Sequence, residues 1–218
     1  MSRLYFAAKA PVPGQVKTRL GATIGMDPAA ELYAAFLTDL SARFATAPFE
    51  VAWHVEPGAW PSLSKLAGRA DAVREQRGDS WAERQANLFF DTAAAGEGTV
   101  VLAATDSPQL RPARVAEAFA ELDRHDVVFG PTLDGGYYLV GMKGFHDVLS
   151  GVAMSTGSAL EQALAHARAR RLRAALLAPE LDVDTAADLD GLRAAVTGRA
   201  NLPATAAALA LLTQAVPA

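Results

Sequence analysis

The chain has 218 residues, 51% apolar and 20% charged, with a formal net charge of −4 and no cysteine. That length suits one domain burying its own core, and the missing cysteine excludes thiol nucleophiles, iron–sulfur clusters and cysteine-ligated zinc. The acidic balance argues against a nucleic-acid surface, and no apolar run reaches the roughly 20 residues of a membrane span or forms a signal core before Lys9, so a cytoplasmic protein is expected.

Leu4 to Ala7 predict a first strand, followed by a Pro/Gly loop over 9–15. Asp27-Pro28 opens a helix in which Leu32, Phe36, Leu37 and Leu40 recur at helical spacing. Residues 49–55 alternate like a strand, 62–70 read as a helix and 73–77 as a weak strand. A helix over 80–95 is anchored by Trp81, Leu88 and Phe89. Thr99 to Ala104 form a continuous β-prone run, the signature of a central strand covered on both faces. A helix over 112–124 and strands over 126–129 and 137–142 follow. Ser158 and Glu161 suggest a capping box at the start of a helix to Arg171. Residues 173–181 read as a strand, and 185–196 and 204–215 as closing helices. Strands alternating with helices predict an α/β fold, one domain over 1–218 with a mainly parallel central sheet and a C-terminal helix within 200–218.

In such sheets ligands collect beyond the carboxyl ends of the strands. The loop after the first strand holds two of the four lysines, Lys9 and Lys17. Gly14 lets backbone approach a ligand, Lys17 offers a compact charge, and Arg19 offers a fork that fits phosphate oxygens. In an extended loop Lys17 and Arg19 reach the same side of Thr18. The segment is an anion cradle or a solvated basic loop; it lacks the Gly-Lys-Ser/Thr order of a Walker loop.

Asp106 follows the buried run, where a carboxylate either holds Mg²⁺ or Mn²⁺ or merely caps a turn. Asp182 and Asp184 alternate and so share a face, although Thr185 and Asp188 look like a helix start that either aspartate would complement. Between two strands, Asp134, Gly135 and Gly136 offer an exposed carboxylate and open backbone, or only a turn. Ser155-Thr156-Gly157 reads as a helix entry ahead of a catalytic group. The four histidines lack metal-ligand spacing, no Gly-x-Ser-x-Gly elbow exists, and Trp53, Trp60 and Trp81 are expected to pack.

Four segments in order, Ala8 to Leu20, Ala104 to Pro108, Gly130 to Tyr138 and Asp182 to Thr185, resemble the glycosyltransferase-A-type family known as radical-SAM/selenodomain-associated transferases. The resemblance covers about residues 3–193 and extends to the 2-phospho-lactate and molybdenum-cofactor guanylyltransferases. It implies a Rossmann-like nucleotide-diphospho-sugar-transferase fold, with Asp106 and Asp184 as metal ligands, Asp182 the substitute, and Lys17 and Arg19 near phosphates. Met154 stands where members often carry tryptophan, and Trp81-Ala82-Glu83-Arg84 where they often have Gly-Glu-Arg.

The expected activity is Mg²⁺-dependent (or Mn²⁺-dependent) nucleotidyl transfer from a nucleoside triphosphate to a small phosphorylated acceptor, releasing pyrophosphate. Lys17, Asp106 and Asp134 are the expected catalytic residues, and Ala8, Gly14, Lys17, Arg19, Gly135 and Gly136 the nucleotide-binding ones. Glycosyl transfer from a nucleoside-diphosphate sugar and a catalytically silent nucleotide-binding domain are the alternatives.

Overall fold

A computed structural model describes residues 2–198 and 201–215. The end positions of the expected C-terminal segment, Ala200 and residues 216–218, lie outside the described residues. Seven strands form one sheet in the order β3-β2-β1-β4-β6-β5-β7. The strands are β1 (Ser2–Ala8), β2 (Glu50–Val55), β3 (Ala72–Glu75), β4 (Thr99–Ala104), β5 (Val127–Pro131), β6 (Tyr137–Lys143) and β7 (Ala174–Leu176). All pairings are parallel except those of β6, which runs against both β4 and β5.

Alternation along the strands builds two cores, one on each face. Leu4, Phe6, Trp53 and Val101 pack on one side against α2 (Met26–Phe44), α5 (Pro112–Glu121) and α7 (Leu189–Thr197). Tyr5, Val100, Leu102 and Phe129 pack on the other against α4 (Trp81–Ala94) and α6 (Ala159–Ala169). Because β5 ends and β6 begins at the rim where β1 and β4 finish, the 132–136 turn stands beside the ends of those parallel strands.

Four expectations are corrected. The loop after β1 is not extended: α1 (Thr18–Ile24) begins directly after Lys17, placing Arg19 in its first turn. The helix expected over 62–70 is only α3 (Trp60–Leu63), since Gly68 takes a left-handed φ of 54° where an added Cβ would stand 2.3 Å from Ser41 Oγ. The strand expected over 173–181 pairs only through β7, with an isolated bridge from Glu180 to Thr132; Pro179 between them has no N–H to donate. Ser158 makes no capping box, because Gln162 Nε2 donates to its hydroxyl at 2.8 Å. The closing helix is α8 (Pro203–Ala215).

Candidate active site

Asp106 leaves β4 at the rim, and its backbone carbonyl accepts the Val183 N–H at 3.1 Å. Glu180 N–H donates to the Pro131 carbonyl at 3.1 Å and Gln109 Nε2 to the Leu181 carbonyl at 2.6 Å. These bonds lay the extended 180–184 segment beside the strand ends. Val183 is fully buried in the core, so Asp182 and Asp184 on either side of it turn toward the rim. One carboxylate oxygen each from Asp106, Asp182 and Asp184 lies within 4.8 Å of the others.

Lys17 is pulled into this cluster rather than presented by the loop. Its side chain is 3% exposed, paired with Asp106 and, at 3.2 Å, with Asp184, and its ammonium donates to the Val183 carbonyl at 2.6 Å. The residue holds φ 47° and ψ 39°, a left-handed conformation that costs a lysine about 1–2 kcal/mol. Burial by itself would lower the Lys17 pKa, but Asp106, Asp184 and Asp182 outweigh it and raise the value. Arg19 pairs with the other oxygen of Asp184 while remaining 60% exposed. The Thr185–Asp188 capping box forms, with Asp188 accepting from the Thr185 N–H at 2.7 Å and the Asp184 N–H at 3.0 Å.

Asp182 differs from its neighbours. Its Oδ1 is buried without a hydrogen-bond partner among the described residues. Burial, then the nearby Asp106 charge, push its pKa up to about 7. Lys17 and Arg19 set two positive charges against three carboxylates, which leaves negative charge uncompensated, and all the converging donors are hard oxygens. The set therefore fits a divalent cation such as Mg²⁺ or Mn²⁺.

Two adjoining hollows, of about 420 and 160 Å³, meet at Asp106 and Asp184 and share Arg19, Trp81 and Ser155 as well. The larger reaches from Ala7 and Ala8 past Lys9, Lys17 and Arg84. Tyr33 supports its floor, its hydroxyl 2.8 Å from Thr105 Oγ1, which donates to the Ala7 carbonyl at 2.9 Å. Arg84 is fixed by the Gly78 carbonyl at 3.0 Å and Gln76 Oε1 at 3.2 Å. The smaller hollow runs from the aspartates to Asp134, Gly136 and Tyr137.

Of the expected nucleotide residues, Ala8, Lys17 and Arg19 thus line the larger hollow and Gly136 the smaller. Gly14 lies exposed on the loop at φ 78°, on neither wall. Gly135 is also on neither wall; it packs so closely that a Cβ there would stand 2.1 Å from the Gly157 carbonyl oxygen. Asp134 is exposed and accepts from Thr132 Oγ1 and, at 3.1 Å, the Gly136 N–H. Trp81, expected to pack, instead stands in both walls, and the larger one is joined by Arg84, from the segment that stands where family members often have Gly-Glu-Arg, and by Gln76, which no motif announced. The position of Gln76 directly after β3 was its one available signal.

No curated protein matches the chain in sequence. A provisionally named nucleotide-diphospho-sugar transferase from Desulfovibrio desulfuricans G20 superposes with a TM-score of 0.87 at 30% identity, covering 98% of this chain and 97% of that one. A nucleotidyl transferase from Methanothermobacter thermautotroptrophicus superposes at 0.61 with 17% identity, over 89% and 96% of the two chains. CMP:2-keto-3-deoxy-manno-octonic acid synthetase complexed with CTP does so at 0.56 with 13% identity, over 90% and 98%. The last two share the fold alone; the resemblance to guanylyltransferases and the radical-SAM/selenodomain association expected from sequence stay expectations. The fold is that of the nucleotide-diphospho-sugar and nucleotidyl transferases. Residues 39–156 match the family described as "Uncharacterized protein conserved in bacteria (DUF2064)", and the chain belongs to that family.

Proposed function

We propose that the protein is a divalent-metal-dependent transferase that binds a nucleotide donor in the larger hollow and passes part of it to an acceptor in the smaller one. The observation that carries this reading is the aspartate cluster standing where a cationic hollow meets an acidic one. Lys9, Lys17, Arg19 and Arg84 line the larger hollow against Asp106 and Asp184, a balance that suits a polyphosphate. Asp106, Asp182 and Asp184 would hold the metal, which would neutralise phosphate charge and act as a Lewis acid.

The chain's own residues supply positioning and charge. Arg19, exposed and set at the junction, is placed to grip a phosphate with its free donors. Lys17 holds Asp106 and Asp184 in place and contributes a fixed positive charge beside them. The Tyr137 hydroxyl is not the base: burial raises its pKa, and it donates to Gln85 Oε1 at 3.2 Å. A phosphorylated acceptor would attack without losing a proton, whereas a hydroxyl acceptor would pass its proton to Asp134.

Nucleotidyl transfer from a triphosphate is the leading form of this reading. The position of Lys17 favours a second, glycosyl transfer from a nucleoside-diphosphate sugar, because a lysine engaged by two carboxylates is no separate cradle for a third phosphate. A thermal-shift series with Mg²⁺ or Mn²⁺ across triphosphates and nucleotide-sugars tests both. A true donor at 100 times its Kd adds about 2.7 kcal/mol. Preference for a triphosphate supports nucleotidyl transfer, and preference for a nucleotide-sugar overturns it in favour of glycosyl transfer.

A further inference from the structure

The smaller hollow differs in kind from the larger. Four carboxylates line it, those of Asp106, Asp134, Asp182 and Asp184, and among the described residues Arg19 is its one cationic side chain. Arg19 pairs with Asp184, and in the reading above its remaining donors serve the donor phosphates. A divalent ion on the aspartates, together with the Lys17 ammonium behind them, brings the local charge near neutral but provides no surplus for a second anion. A phosphate ester placed here would compete with the donor phosphates for the same positive charge while facing Asp134.

The rest of the wall has its own chemistry. Trp81, Tyr137 and Met154 give an apolar and aromatic side, and Tyr137 is held edge-on against Phe129 with ring centroids 5.4 Å apart. Thr132, Ser155 and Thr156 add hydroxyls to the same lining. Thr132 donates to Asp134, and Thr156 Oγ1 donates to the Ala153 carbonyl at 2.7 Å, so both are oriented before anything binds. Ser155, held at φ 60°, is turned into the junction by its backbone. A lining that mixes aromatic and apolar side chains with hydroxyls and carboxylates suits a ring with an apolar face and a rim of hydroxyls.

Resting on the donor reading above, we propose that the acceptor is an uncharged, hydroxyl-bearing molecule with an apolar face, of the sugar or cyclic-polyol class, and not a phosphate ester. This replaces the phosphorylated acceptor expected from the sequence.

The test uses the whole protein, with Mg²⁺ and whichever nucleotide donor stabilises it most, and two matched probes, methyl glucoside and glucose 6-phosphate. Donor binding is read first by calorimetry, and probe binding to the donor-loaded protein by saturation-transfer NMR. The expected result is methyl glucoside bound at least ten-fold more tightly than glucose 6-phosphate, with methyl glucoside binding weakened in Met154→Ala, which lines only the smaller hollow, while donor affinity changes less than three-fold. Donor binding with glucose 6-phosphate equal or preferred overturns the acceptor class and leaves the donor reading standing. Donor binding with neither probe bound also overturns the acceptor class alone. Failure of every nucleotide to bind overturns the donor reading, and the acceptor inference with it.

Discussion

Lys17 and Asp182 are the residues whose surroundings most change what their types suggest. A buried ammonium between two carboxylates is worth most as a partner, since breaking such a pair leaves charge stranded at a cost of about 3–5 kcal/mol. Lys17→Ala should therefore melt well below the parent in metal-free buffer and recover part of the loss when Mg²⁺ replaces the missing charge. Equal melting temperatures without metal would refute that role. Asp182 is the opposite case, a buried carboxylate with an unpartnered oxygen. Asp182→Asn should leave the metal-free melting temperature unchanged or higher and abolish the stabilisation that Mg²⁺ gives the parent. A variant that loses stability yet keeps the metal response would make Asp182 structural. Sequence position could not reveal the difference: alternation showed that Asp182 and Asp184 share a face, but which of them lacks a partner depends on Lys17 and Arg19, more than 160 residues away.

At the scale of elements, the legible parts were those with a strong period or a continuous β-prone run. β4 is found over the expected Thr99–Ala104, and α2, α4 and α8 follow their apolar spacing. α1 was missed because seven residues, one of them Gly21, show no helical period and Lys17 is not a capping type. A Cβ at position 21 would stand 2.5 Å from Met26 Sδ and displace that side chain. The attachment of α8 was equally invisible. Asp39, buried in α2, accepts from the Ala204 N–H at 3.0 Å and the Thr205 N–H at 2.8 Å, capping α8 from a distance. Asp39→Ala should cost about 1–2 kcal/mol in denaturant unfolding, and Asp39→Asn, which keeps one accepting oxygen, should cost less. No change in either variant would mean that α8 is held by its apolar contacts alone.

Over the whole molecule, the strand ends carry the site and the sheet interior carries the stability. His54 lies buried in β2, where desolvation first, then the Arg84 and Arg74 charges, push its pKa down to about 4 from the usual 6.5. Between those values the unfolded chain holds more protons than the folded one, so stability is complete above pH 6.5 and falls as the pH drops toward 4. Denaturant unfolding should show a limb of about 1.4 kcal/mol per pH unit in that window, absent in His54→Gln; an unchanged limb in the variant would assign it to other groups. The remaining claim is that three aspartates, contributed by two separated segments, hold a metal for a nucleotide donor. Calorimetry of nucleotide binding with Mg²⁺ and with chelator, for the parent and Asp106→Asn, tests it most directly. Tight binding is expected only for the parent with Mg²⁺, with the variant still folded. Binding that survives both the chelator and Asp106→Asn would contradict it.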